Sequence, residues 1–260
     1  MGRGYVGKSL GLYNGFDLVS HTDVVDADLS EYDAVVNAAG IIGHQRCDEA
    51  GYDAVINANV SFPVRLYRSC YSASTPFIQL TTTGISEVQI ALSSDVGFGL
   101  NDPIYPHNLY CASKVLLESL LSGKKWCFML RMPWVFIKGV FENRIRGWTH
   151  IQDTYTSVLD IDDLVLAIRK VVDSVPTGFQ SIYSDIQFPS GHGTYHVKSR
   201  DVYFPEFING LLDTDLQVKS GHPRDMTAAI PITDNLLLIS KDESCPICHH
   251  YHPVDSNCLD

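Results

Sequence analysis

Short apolar, β-branched runs alternate with segments of helical period along the first half of this 260-residue chain, and that alternation constrains its fold most. Ala34–Gly40 reads as a buried strand breaking into a loop of small residues, Pro76–Thr83 as another strand and Trp126–Leu130 as another. Phe16–Ser20 reads as a further short strand. Between them, Ala54–Ser72 carries apolar residues at helical spacing, with Pro63 near a start or a kink, and Leu109–Leu121 is strongly helical. Strands joined through helices pair in parallel and are covered on both faces. The expected fold class is α/β, a doubly wound parallel sheet.

From about Met132 the rhythm loosens. Ile161–Val172 reads as a helix with Asp162 and Asp163 in its first turn, where carboxylates suit the helix dipole. Gln187–Tyr203 is rich in Gly, His and Ser and reads as loop, with His192, His196 and His222 as surface residues. Phe204–Leu212 reads as a helix, and Ala228–Ser240 as a strand or buried extension. The expected organisation is a sheet domain over 1–175, part of a substrate lobe inserted near 135–155, a small C-terminal lobe over 176–244 and a Cys/His-rich tail over 245–260.

Composition narrows the function classes. With 45% apolar and 19% charged residues the chain is ordinary for a globular protein, which excludes disorder, collagen and coiled coil. No apolar run is long enough to span a membrane, and the N-terminus lacks the order of a signal peptide. A net charge of −11 repels a phosphate backbone, and Lys124-Lys125 and Arg144-Ile145-Arg146 are too short to wrap one, though enough for one diphosphate. No nucleic-acid or membrane partner is expected. Cys47, Cys70, Cys111 and Cys127 sit among apolar neighbours, as reduced thiols of a cytoplasmic protein would.

Two motifs carry chemistry. The chain opens Gly2-Arg3-Gly4-Tyr5-Val6-Gly7, a G-x-G-x-x-G running into a helical segment, which in a dinucleotide fold lets backbone approach a pyrophosphate. Such a loop normally follows a buried strand, and here only Met1 precedes it, so the first strand is read as truncated. The second motif, Tyr110-Cys111-Ala112-Ser113-Lys114, puts a phenol and an ammonium one helical turn apart. A nearby cation favours phenolate and brings the phenol closer to the pKa that proton transfer needs. Thr81-Thr82-Thr83 ends a strand with hydroxyls able to bind a carbonyl oxygen, the small residues of Asn37-Ala38-Ala39-Gly40 let a ligand lie close to backbone, and Asn59 is a candidate hydrogen-bond donor within a helix pair.

In order and spacing these segments resemble the extended short-chain dehydrogenase/reductases, the NAD-dependent epimerase/dehydratase family, over roughly residues 2–185. Asn59-Val60-Ser61, Leu130-Arg131-Met132-Pro133 and Val158–Leu164 add to the resemblance. The loop Asn37–His44 followed by Cys47-Asp48-Glu49 is most similar to the dTDP-4-dehydrorhamnose reductase and UDP-rhamnose 3,5-epimerase/4-reductase types. The resemblance implies a Rossmann-like sheet and reduction of a 4-keto-6-deoxy sugar nucleotide by NADP, or NAD. NADP is preferred because Arg3 stands in the glycine loop. By that resemblance Tyr110 would protonate the new hydroxyl, Lys114 would hold the nicotinamide ribose, and Thr82 or Thr83 would bind the carbonyl oxygen. Gly2, Arg3, Gly4, Tyr5, Val6, Gly7, Asn37, Ala38, Ala39, Asn59 and Met132 would line the dinucleotide. Cys47 is an acid/base candidate for an epimerase step, and helices 54–72 and 108–121 would pair in a homodimer. An epimerase/dehydratase with tightly bound NAD and a non-catalytic dinucleotide-binding scaffold are the alternatives.

The tail stands apart. Cys245, Cys248, His252 and Cys258 form a compact set of sulfur and nitrogen ligands of the kind zinc takes, or else a solvated, redox-prone end.

Overall fold

Three of the apolar runs read as strands in the first half of the chain form strands, and Phe16–Ser20 does not. The computed structural model describes residues 4–85, 104, 106–145, 150–152, 155–175, 193–212 and 217–219. Its strands are β1 (Val35–Asn37), β2 (Phe77–Thr82), β3 (Cys127–Met132), β4 (Trp134–Phe136), β5 (His150–Gln152), β6 (Tyr155–Asp160), β7 (Gly193–His196), β8 (Arg200–Tyr203) and β9 (Gln217–Lys219). Its α-helices are α1 (Tyr5–Leu10), α2 (His44–Ala50), α3 (Tyr52–Ile56), α4 (Phe62–Ser72), α5 (Leu109–Leu121), α6 (Val140–Ile145), α7 (Ile161–Ser174) and α8 (Phe204–Leu212). The fold is α/β and Rossmann-like.

Two compact units divide the chain: one comprises Met1–Thr82, Asn108–Arg131 and Val165–Tyr195, the other Thr83–His107, Met132–Leu164 and His196–Asp260. In the first, the sheet order is β1-β2-β3-β7, and β1 runs parallel to β2 with Val35 opposite Phe77 and Asn37 opposite Gln79. β3 is buried along its whole length and β2 along all but its last residue, as expected of inner strands with both faces covered. Leu66 and Cys70 of α4 and Leu117 and Leu121 of α5 share one apolar cluster with Val35, Phe77, Cys127 and Met129. Each such large side chain contributes about 1.5–3 kcal/mol of transfer free energy when fully buried.

α5 begins where its sequence provides a cap: the Asn108 side chain accepts from the Cys111 amide at 2.8 Å. The predicted helix over 54–72 is present as α3, a π-type turn over Asn57–Ser61, and α4, with Pro63 in the first turn of α4 directly after the π-type turn. Cys47, Cys70, Cys111 and Cys127 are buried, reduced thiols. Burial pushes the Cys70 and Cys127 thiols up to about 12, so both stay protonated and unreactive at neutral pH. Among the described residues no helix is long and apolar enough to cross a membrane.

In the second unit β4 pairs in parallel with β6, β6 antiparallel with β8, and β5 in parallel with β9. Trp134, Phe136, Phe141 and Phe207 pack edge-on or tilted, with ring centroids 5.7–6.4 Å apart. The Ser199 hydroxyl accepts from the Asp160 amide at 2.8 Å and donates to Asp163, and Arg200 pairs with Asp160 at 2.5 Å.

Three expectations are corrected. Phe16–Ser20 is not a strand: β1 ends its sheet and, among the described residues, no strand lies beside this segment to complete a ladder. Phe16 and Leu18 instead line a groove of about 520 Å3 with Leu10, Val36 and Ile168. The segment read as loop over Gln187–Tyr203 contains β7 and β8, two four-residue strands whose Gly, His and charged content gives no apolar run. His196 is fully buried rather than exposed, because it ends β7. His192, His222 and Ala228–Ser240 lie outside the described residues.

Candidate active site

The site grows from the end of β1. Asn37 is fully buried; its side chain donates to Gln79 Oε1 at 2.8 Å and accepts from the Ala39 amide at 3.2 Å, which turns the chain out of the strand. Gly40 then takes φ +154°, and a Cβ there would lie 2.8 Å from Asn59 Oδ1 and 3.7 Å from Lys114 Nζ. Only glycine lets the loop backbone pass this close.

Asn59 sits in the π-type turn, a helix defect frequent at functional sites, and is fully buried. Its side chain accepts from the Ile41 amide at 2.8 Å and donates to the Ile41 carbonyl at 2.9 Å and to Ser113 Oγ at 3.0 Å. Ser113 in turn donates to the Tyr110 carbonyl at 2.7 Å. The loop after β1 is thereby fastened to α5 through one amide. Gly40→Ala forces Asn59 out of these bonds, and we expect a loss of about 1–3 kcal/mol in chemical denaturation.

Tyr110 and Lys114 lie one turn apart, with Nζ 5.7 Å from the phenol ring centroid. Lys114 is 4% exposed, and among the described residues its ammonium has no hydrogen-bond or ion-pair partner. Burial pulls its pKa down from 10.5 to about 8, opposed by the Glu118 carboxylate and by Cys47. Cys47 donates to the Ile41 carbonyl at 3.5 Å, and burial raises its thiol pKa against the pull of Lys114. A buried cation without a partner, beside a phenol and against a glycine backbone, suits a neutral, hydroxyl-rich ligand such as a ribose.

One group was missed in the sequence. Glu118, a turn beyond Lys114, is buried and gripped by Arg131, with Nε at 3.2 and 3.0 Å from its two oxygens and Nη2 at 2.6 Å from Oε2. Thr81 donates to Glu118 Oε1 at 2.9 Å. The only signal available was the i, i+4 continuation from Lys114.

Hydrogen bonds and close approaches thus bring Asn37, Ala39, Gly40, Asn59, Tyr110 and Lys114 into one cluster. The threonine run is split in its roles: Thr81 holds Glu118, Thr82 is half-buried at the end of β2, and Thr83 donates to the Met132 carbonyl at 3.4 Å. Thr83 and Met132 belong to the second unit. Gly4 precedes α1, with Tyr5 and Val6 in its first turn and Gly7 buried. Gly2 and Arg3 lie outside the described residues, as do Cys245, Cys248, His252 and Cys258. Among the described residues no cluster of His, Cys, Asp or Glu could hold a metal ion.

Residues 14–124 match the NAD dependent epimerase/dehydratase family. No curated protein matches. Among solved structures, a dTDP-4-dehydrorhamnose reductase from Clostridium acetobutylicum is similar at 18% identity and TM-score 0.60, over 92% of this chain and 87% of that one. The Bacillus anthracis dTDP-4-dehydrorhamnose reductase in complex with NADP is similar at 16% identity and TM-score 0.63, over 91% and 85%. RMD from Pseudomonas aeruginosa, complexed with NADPH, is similar at 17% identity and TM-score 0.58, over 85% of each chain. At these identities the likeness to solved structures is one of fold.

Proposed function

We propose that this chain is an NAD(P)-dependent reductase of a nucleotide-linked 4-keto-6-deoxy sugar, with NADP as the favoured cofactor. The observation that carries the reading is the buried, unpartnered Lys114 ammonium beside Tyr110 and Gly40. In this reading Lys114 donates to the nicotinamide ribose hydroxyls. Gly2, Arg3, Gly4, Tyr5, Val6 and Gly7 line the dinucleotide with Asn37–Ala39, Asn59 and Met132. The bound nicotinamide supplies the hydride. Tyr110 gives its proton to the sugar carbonyl oxygen as the new hydroxyl forms, and Thr82 or Thr83 donates a hydrogen bond to the same oxygen. The solved structures bearing NADP or NADPH and the reductase names of the similar folds support the choice.

A second reading, an epimerase or dehydratase, is favoured by the family match alone. Such an enzyme keeps NAD tightly bound and shows no net consumption of it. The experiment is to denature the purified protein and assay the released nicotinamide, then to supply NADPH with 4-keto-6-deoxy sugar nucleotides. Net oxidation of NADPH supports the reductase; retained NAD without consumption supports the second reading, and binding without any turnover a scaffold.

The reading includes a homodimer. Leu116 and Leu120 of α5 are 39% and 44% exposed and Tyr71 of α4 is 51% exposed, which leaves apolar surface on both helices. Sedimentation is expected to give a dimer, and a Leu116→Glu/Leu120→Glu variant a folded monomer.

A further inference from the structure

Tyr110, Lys114 and Glu118 stand at i, i+4 and i+8, so α5 presents a phenol, an ammonium and a carboxylate in a row along one face. Reaching Lys114 are Tyr110 and Glu118 from α5 itself and Cys47 from α2, while Arg131 of β3 faces Glu118 directly. Both carboxylate oxygens of Glu118 are already bound, to Arg131 and Thr81, so the carboxylate is fixed in place rather than free to swing onto the amine. A buried ion pair of this quality does little for stability against an apolar replacement, which leaves its location beside Lys114 to be explained.

We propose that Glu118, clamped by Arg131 and Thr81, is a positioning residue that keeps the buried Lys114 amine in its ammonium form for cofactor binding. The inference rests on the reading of Lys114 as the cofactor-holding group. Desolvation drives Lys114 toward the neutral amine, and the fixed carboxylate opposes that drive. The Arg131 cation works against Lys114, so the two members of the pair act on it with opposite signs. Lys114 loses its charge as pH rises through about 8. Without Glu118 the loss comes at lower pH; without Arg131 it comes at higher pH.

The test is the dissociation constant for NADPH as a function of pH, with folding checked by circular dichroism and thermal melting. Glu118→Gln is expected to move the alkaline weakening of binding down by on the order of one pH unit. Arg131→Gln is expected to move it up, and Glu118→Asp, which keeps the charge, to leave it near the wild-type position. A pair with a merely structural role lowers the melting temperature in all three without opposed shifts. A folded Glu118→Gln whose curve superimposes on the wild type overturns the proposal. If that variant does not fold, an Arg131→Gln curve that is unmoved or moved down overturns it. Lys114→Met separates the two levels: wild-type NADPH affinity in that variant sinks the cofactor reading itself, whereas a defective Lys114→Met beside an unmoved Glu118→Gln sinks only the role of Glu118.

Discussion

Replacing Lys114 with Met is expected to stabilise the apo protein while weakening NADPH binding by roughly 10–100-fold, the worth of one or two charge-assisted hydrogen bonds. The two effects have one cause. In the fold Lys114 is buried with no hydrogen-bond or ion-pair partner among the described residues, and its pKa falls from 10.5 to about 8. A base whose pKa is depressed by folding opposes folding wherever it is charged. The penalty is therefore complete below pH 8 and relieved as pH climbs toward 10.5. At 1.36 kcal/mol per unit this amounts to about 3 kcal/mol, a net figure in which the attraction of Glu118 is already contained. Methionine fills nearly the same volume without a charge, so melting below pH 8 is expected to rise by roughly 5–10 °C. Wild-type stability gains on this account between pH 8 and 10.5; the variant shows no such gain. A variant that melts lower than the wild type would mean that the ammonium is satisfied within the fold and has no need of a ligand.

Tyr110→Phe is expected to lower turnover by about two to four orders of magnitude and to leave NADPH affinity unchanged. The substitution removes one hydroxyl and keeps the ring. Ser113 bonds to the main-chain carbonyl of residue 110, not to the phenol, so the Asn59–Ser113 link to the loop after β1 persists. The ring that Lys114 lies beside is retained as well. The loss should fall on kcat and kcat/KM together, as for an interaction made only in the transition state. Comparable activity in the variant would move proton delivery to another group.

Much of this was readable in the amino-acid order because it depends on short-range spacing. The helix over Leu109–Leu121 coincides with its prediction, since an Asn108 cap and an unbroken apolar stripe need no tertiary information. The end of β1 at Asn37 was visible because a β-branched run meets a cluster of small residues. Asn59 was anticipated as a donor within a helix pair, and it bonds Ser113 across 54 positions of sequence. What failed depends on neighbours distant in sequence. Phe16–Ser20 has strand composition but no partner strand beside it among the described residues. β7 and β8 are drawn into ladders despite loop-like composition, β8 by its antiparallel register with Tyr155–Val158. Glu118 looks like any exposed helix glutamate until β3 brings Arg131 to it and β2 brings Thr81. The threonine run likewise reads as three equivalent hydroxyls, and only the structure separates the one that holds Glu118 from the one that binds Met132.

A crystal structure of the protein grown with NADPH tests the central claim most directly. The account predicts the nicotinamide ribose hydroxyls within hydrogen-bond distance of Lys114 Nζ, with the ring beside the Tyr110 hydroxyl. A cofactor bound elsewhere on the chain, or seated with its ribose away from Lys114, would contradict it.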